Sequence, residues 1–177
     1  MKTKYILFLT FLLLNLTCFS QIKLSSNTSQ IILPKDVKTN VKPATTSSKN
    51  SMNPDGTVNL SSLRGEYDFN GQNLSIRTVN INKNPAFIAD TKRKMENSKK
   101  RYFPNDNFSE IYTTEVNGNE CLISRNNGGG VQQNYYVFYV VNKENTSYVT
   151  GILMFSPGQE SLAKENLANV LKGIKMN

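Results

Sequence analysis

The sequence predicts one α+β domain over residues 57–177. We expect an antiparallel β-sheet of four to six strands, with a C-terminal helix on one face and a second helix, about 85–102, nearby. Three observations predict this fold: alternating segments around an Asn-Gly turn, two longer apolar segments around a second turn, and a capped amphipathic stretch at the C-terminus. A chain of 177 residues has room for one ordinary domain and little more.

The first strands are short. Residues 58–60 and 67–69 alternate between apolar and polar side chains, and Gly71 marks a turn after them. Residues 74–79 (LSIRTV) alternate over six positions, which is typical of a strand with one buried face.

A helix is predicted next. Asn84 and Pro85 suit its N-cap and first position, and Pro104 marks its end. The stretch of about 85–102 is rich in helix-forming residues, but its apolar side is thin, so we expect a helix on the surface. That apolar side consists of Phe87, Ile88, Met95 and Tyr102.

Two hairpins follow this helix. Residues 108–116 and 120–125 alternate around Asn117-Gly118-Asn119, and Asn-Gly favours a two-residue hairpin turn because both residues tolerate positive φ. Residues 132–142 and 146–155 flank a second turn.

The two strands of the second hairpin are apolar on both faces, at residues 135–141 and 148–155. Strands with this pattern lie in the middle of a sheet and are covered on both sides. We therefore expect them to be central.

The C-terminal helix has clear boundaries. Ser156, Pro157 and Gln159 suit the N-cap, first and third positions of a capping box, and Gly173 marks the end. One face of the helix is apolar and carries Ala163, Leu167, Val170, Leu171 and Ile174.

Residues 1–20 have the layout of a secretory signal peptide. Lys2 and Lys4 precede an apolar run of about ten residues, too short to span a bilayer, and small residues precede a cut between Ser20 and Gln21. We therefore expect export to the periplasm or beyond the cell. Lipidation at Cys18 is the less favoured alternative, because a bulkier Thr residue stands before it.

Residues 21–56 are rich in Ser, Thr, Asn and Lys, and their one apolar patch is Ile31–Leu33. Such a composition buries too little surface to offset the entropy lost on ordering. It predicts a disordered linker, although the patch could add a strand to another surface.

The composition argues against several functions. The net charge of +8 lies mostly on the first 49 residues, so the folded part is nearly balanced and we expect no nucleic-acid partner. The chain has no His, the commonest general base and metal ligand, and Cys121 therefore has none to activate it. We expect no cofactor, no metal and no enzymatic activity.

Two groups of residues are candidates for an interaction surface. The first is a set of six cations on the predicted surface helix: Lys92, Arg93, Lys94, Lys99, Lys100 and Arg101. The alternative interpretation is that they form an ordinary solvated face of the helix. The second is the rim of the aromatic central strands, at Tyr135 and Tyr139. The alternative interpretation is that these two side chains belong to the hydrophobic core.

The pattern of residues 65–177 resembles the PsbP/Mog1-like α/β/α sandwich proteins. The matching features are the apolar strand 148–155, the capped helix 157–172 and the closing Ile174-Lys175. The resemblance implies an antiparallel sheet between helices and an accessory or partner-binding role without catalysis. It carries over no functional residue.

These observations favour an exported, non-enzymatic accessory or binding protein of a bacterial envelope. It would act through contacts with an envelope protein, with an inhibitor of a toxin or hydrolase as a special case. Two alternatives remain at this stage: a small exported hydrolase, and a surface protein that binds anionic lipid or glycan through the basic helix.

Overall fold

Seven antiparallel strands form the main sheet of the protein, which a computed structural model describes over residues 21–39, 66–128 and 133–177. Two helices lie in these ranges, α1 (Phe87–Tyr102) and α2 (Glu160–Lys172). The strands in these ranges are β1 (Lys23–Ser25), β2 (Ser29–Ile32), β3 (Val37–Thr39), β4 (Glu66–Phe69), β5 (Gln72–Asn80), β6 (Glu110–Val116), β7 (Asn119–Asn126), β8 (Asn134–Val141), β9 (Ser147–Phe155) and β10 (Ile174–Met176).

The order across the main sheet is β3-β4-β5-β9-β8-β7-β6. The two apolar strands, β8 and β9, are therefore central, as predicted, and they pair directly from Asn134↔Phe155 to Val141↔Tyr148. The sheet is wider than the predicted four to six strands, because β3 adds an edge that the composition of its segment did not suggest.

The two helices cover opposite faces of the sheet. Leu167 and Val170 of α2 pack in one buried cluster with Phe138 and Leu153, while Ile88 of α1 packs in a second cluster with strand residues of the other face. These other strand residues include Val137, Tyr139, Tyr148 and Ile152. The arrangement is an α/β/α sandwich of the predicted α+β class.

Helix α1 docks through its first three turns. The ring of Phe87 stacks on Tyr148 with centroids 4.6 Å apart and meets the edge of Tyr139 at 6.2 Å, and Ile88 is buried. Met95 is half-buried against the same cluster. Tyr102, which the sequence placed on the apolar side, is instead exposed because it lies in the last turn.

The predicted hairpin turns are confirmed. Asn117 and Gly118 both have positive φ, of 49° and 76°, between β6 and β7. Both central residues of a two-residue turn therefore take the left-handed conformation that matches the twist of the strands.

Both helices begin later than the capping residues suggested. Asn84 accepts a hydrogen bond from the Ala86 N–H at 3.1 Å, and α1 starts at Phe87. The Gln159 side chain accepts from the Ser156 N–H at 3.3 Å, and α2 starts at Glu160. In each case the polar side chain closes a turn that precedes the helix.

The prediction of a disordered linker over residues 21–56 is wrong for residues 21–39. Strands β1, β2 and β10 form a second, three-stranded sheet, in which Ile31 pairs with Ile174, and Ile31 and Leu33 are buried. The partner of this segment comes from the far end of the chain, and local composition carries no signal of it. The rest of the predicted linker, like the predicted signal peptide and the strand at 58–60, lies outside the described residues.

Gly173 sets how closely the N-terminal segment approaches α2. The Ile32 N–H donates to the Gly173 carbonyl at 2.9 Å, and a Cβ placed on Gly173 would lie 1.9 Å from the Ile32 carbonyl oxygen. Only a residue without a Cβ fits there unless β2 moves away.

We therefore expect Gly173→Ala to lower the free energy of unfolding by about 1–3 kcal/mol, the usual cost of overpacking. Urea titration followed by circular dichroism measures this loss. Lys172→Ala at the exposed neighbouring position is the matched control and should be near neutral. Equal stability of Gly173→Ala and the wild type would show that β2 does not dock against the end of α2.

Candidate functional site

The cations of α1 form two triplets seven residues apart, Lys92-Arg93-Lys94 and Lys99-Lys100-Arg101. Seven residues are nearly two full helical turns, so each cation of the second triplet lies above its counterpart in the first, about 10.5 Å along the axis. The helix holds two acidic residues, Asp90 and Glu96, against these six cations. Its outer side therefore carries a net positive charge.

Two of the six cations are engaged within the protein. Arg93 pairs with Asp90 at 2.8 Å, and the Lys99 ammonium donates to the backbone carbonyl of Ser109. Lys92 is half-buried, and Lys94 and Lys100 are exposed. Arg101 is exposed as well, with its guanidinium 5.3 Å from the centroid of the Tyr102 ring.

Two aromatic residues stand at the end of α1. Tyr102 is 55% exposed and Phe103 is 57% exposed, more than any other large apolar side chain of the described residues. They directly follow Lys100 and Arg101, so this end of the helix combines apolar rings with positive charge. Aromatic residues and Arg are enriched at protein interfaces, so Arg101, Tyr102 and Phe103 are the residues that point to binding.

Hydrogen bonds order the loop that follows Phe103. The Asp106 carboxylate accepts hydrogen bonds from the backbone N–H groups of Phe108 (2.9 Å) and Ser109 (3.2 Å), and from the Ser109 hydroxyl. The hydroxyl bond is the main cause that lowers the pKa of Asp106. The Phe103 N–H itself donates to the Lys99 carbonyl at 2.8 Å. The two exposed rings therefore sit on an ordered turn.

Arg125 holds the end of this loop at Phe108, just before β6. The guanidinium of Arg125 lies 4.3 Å from the centroid of the Phe108 ring, and its Nε–H donates to the Phe108 carbonyl at 3.0 Å. Arg125 also pairs with Glu110 at 3.0 Å. These contacts attach the loop to the start of the β6–β7 hairpin.

The predicted aromatic rim does not form as a surface. Tyr139 is 1% exposed beneath Phe87, and burial raises its pKa to about 12, so the prediction that it contacts a partner is wrong. The reason is that α1, despite its thin apolar side, covers the centre of this face. Tyr135 is half-buried, and its pKa is raised by burial and by the nearby Asp106 carboxylate.

The cysteine of the described residues is not placed for chemistry at a surface. Cys121 is fully buried in the core, and its burial raises the pKa of the thiol to about 12. No group of three or more His, Cys, Asp or Glu within the described ranges is placed to hold a metal ion. Neither of the two described helices has the length and apolar character needed to cross a membrane.

Comparisons with known proteins bear on the fold. No protein-family model matches the sequence, and no curated protein matches it. Among solved structures, the protein is similar to cyanobacterial PsbP (CyanoP) from Synechocystis sp. PCC 6803, with a TM-score of 0.53, 11% identity, and coverage of 89% of this chain and 93% of that one. The fold is PsbP-like.

A second solved structure, a protein from Bacteroides thetaiotaomicron VPI-5482, matches with a TM-score of 0.46 and 8% identity. The match covers 84% of this chain and 45% of that chain, so this protein spans just under half of it. The PsbP-like fold confirms the resemblance that the strand 148–155 and the helix 157–172 predicted. At these identities the likeness concerns the fold alone.

The cations of α1 are visible in the sequence, but its aromatic end is not predicted from it. Tyr102 is predicted on the apolar side that faces the sheet, and Phe103 falls outside the predicted helix. The signal was present in Pro104, since the residue before a proline disfavours the helical conformation, and Phe103 therefore leaves the helix.

The burial of Cys121 gives a direct test of the core. In a Cys18→Ser variant, Cys121 is the one remaining thiol. Because the raised pKa keeps it protonated and the core shields it, we expect no reaction with a disulfide reagent at mildly alkaline pH in the native protein.

Full reaction is expected once the protein is unfolded in guanidinium chloride, which serves as the control. Rapid labelling of Cys121 under native conditions would contradict the placement of this residue in the core.

Proposed function

We propose that the protein is an exported accessory protein of a bacterial envelope that binds an acidic surface of a partner protein and does not catalyse a reaction. The contact is made by the basic–aromatic surface, which we define as Lys94, Lys100, Arg101, Tyr102 and Phe103. The observation that carries the proposal is the exposure of Tyr102 and Phe103, at 55% and 57%, beside helix cations that form no ion pair with any residue of the described ranges.

The two kinds of side chain have different roles. Exposed charges such as Lys94 and Lys100 steer association and select partners with opposite charge. Buried aromatic residues supply most of the affinity in a protein interface. Hydrogen bonds to the Asp106 carboxylate already order the loop after Phe103. This loop therefore loses less conformational entropy on binding a partner than a disordered loop would.

A protein partner fits this surface better than an anionic membrane or glycan. Asp90 and Glu96 lie on the same helix as the cations and would be repelled by a uniformly negative surface. A protein surface can place acidic groups against the cations and leave these two carboxylates in solvent. The apolar part is also confined to two rings at one end, as in a protein interface with a small anchor.

The proposal is tested by photo-crosslinking in living cells of the source organism. We expect a crosslinking amino acid at Phe103 to give a discrete adduct with one envelope protein, and the same group at Leu162 to give none. Leu162 is the matched control because it is 36% exposed on α2, on the opposite face of the sheet. Lys100→Glu combined with Arg101→Glu should reduce the adduct roughly tenfold or more.

Two results would contradict the proposal. One is the same adducts from both positions. The other is salt-dependent cosedimentation with phosphatidylglycerol vesicles that the double charge reversal abolishes, because it would show that the partner is anionic lipid. The export part is tested in the same cells by N-terminal sequencing, where we expect the chain to start at Gln21.

A further inference from the structure

Strand β6 is the long open edge of the main sheet. It pairs with β7 without interruption from Glu110↔Arg125 to Val116↔Asn119, and no other strand of the described residues pairs with it. Edge strands are usually protected by charged side chains, especially Lys, by Pro, by a bulge, or by a helix or loop that covers them. The sequence of β6, EIYTTEV, has no Lys and no Pro, its register has no bulge, and its charged residues are Glu110 and Glu115.

The hairpin geometry shows which backbone groups of β6 face outward. A two-residue turn at Asn117-Gly118 leaves Val116 in a hydrogen-bonded pair with Asn119, and the direction then alternates along the strand. The N–H and C=O groups of Ile111, Thr113 and Glu115 therefore point away from β7.

The hydrogen bond of Lys99 supports this assignment. Ser109 lies two residues before Ile111, so its backbone groups also point away from β7, and its carbonyl accepts a hydrogen bond from the Lys99 ammonium. Lys99 therefore occupies the first outward carbonyl of this edge. The open part of the edge begins at Ile111, where backbone groups are available for a further strand.

A pair of carboxylates stands beside the open edge. Glu115 lies directly opposite Glu120 on the neighbouring strand, and both side chains are exposed. Like charges at directly opposed positions destabilise a sheet. Neither carboxylate forms an ion pair with a residue of the described ranges. A cation on a strand added beyond β6 would offset this repulsion.

We propose that a partner polypeptide adds an extended segment to the outer edge of β6, pairs with the backbone of Ile111, Thr113 and Glu115, and places a Lys or Arg beside Glu115. A second copy of β6 does not meet this requirement, since the strand contains no Lys or Arg in any register. This contact goes beyond the proposed function of α1, because it uses different residues and a different kind of recognition.

The probe is a short capped peptide of alternating valine and threonine with one lysine at its N-terminus, which antiparallel addition places beside Glu115. We expect its titration into the ¹⁵N-labelled full chain to shift the amide signals of Ile111, Thr113 and Glu115 and to slow their hydrogen exchange. Tyr112 and Thr114, whose N–H groups already bond to β7, should change little.

Two control peptides separate the backbone from the charge. A peptide with methylated nitrogens at the positions that face β6 should not bind, because it lacks the donors. A peptide with glutamate in place of lysine should bind about two- to fivefold more weakly. Glu115→Lys should reverse this order of affinity.

Thr113→Pro provides a variant that should fold. Its missing N–H is an outward one, so no β6–β7 hydrogen bond is lost, and proline is tolerated at such edge positions. We expect native stability and no peptide binding. Lys100→Glu with Arg101→Glu should leave peptide binding unchanged, so this inference and the proposed function succeed or fail separately.

The inference is overturned if the lysine peptide causes no saturable shifts in β6, or if the shifts map elsewhere. It is also overturned if Thr113→Pro binds like the wild type, or if Glu115→Lys leaves the order of the two charged peptides unchanged.

Discussion

Strands β8 and β9 carry apolar side chains on both faces, so the sheet needs cover on both sides. A sheet with one solvated face would leave Tyr139, Tyr148 and Ile152 in water, at a cost of roughly 1.5–3 kcal/mol for each large side chain. Helix α2 covers one face with an ordinary amphipathic surface. Helix α1 covers the other with far fewer apolar residues, and the properties of the candidate surface follow from this.

Helix α1 divides its length between packing and exposure. Phe87, Ile88 and Met95 hold the helix on the sheet, whereas the last turn extends over the start of the β6–β7 hairpin and buries little. The cations also suit this end, since positive charge near a helix C-terminus is favoured by the macrodipole. Lys99 joins the two parts by bonding to Ser109, and it places the aromatic end close to the open edge of β6.

The sequence predicted the parts of the fold that depend on local pattern. The Asn117-Gly118 turn, the strands that are apolar on both faces and the amphipathic C-terminal helix all follow from neighbouring residues and are confirmed, whereas the predicted capping box closes a turn before that helix. Strands β1, β2 and β10 could not be predicted in this way, because Ile31 is buried by Ile174, more than 140 residues away in the chain. Their stability comes from a contact that neither segment signals alone.

The candidate site was predicted only in part, for the same reason. The cations of α1 are visible as a charge pattern, but which of them are engaged depends on Asp90 and on the Ser109 carbonyl, whose positions are set by the fold. The sequence predicts Tyr139 at a surface, because few apolar residues of α1 are available to cover it. The ring of Phe87, which meets Tyr139 edge-on and stacks on Tyr148, covers this site together with Ile88 and Met95.

The proposed contact on the outer side of α1 requires that the helix stay on the sheet and keep Tyr139 and Tyr148 covered. Native-state hydrogen exchange of the full chain, measured by NMR, tests this most directly. We expect the amides in the first turns of α1 to exchange with protection close to that of β8 and β9, because the helix opens only when the core does. Exchange in α1 that is faster than in β8 and β9 by orders of magnitude would show that the helix lifts off and exposes Tyr139 and Tyr148.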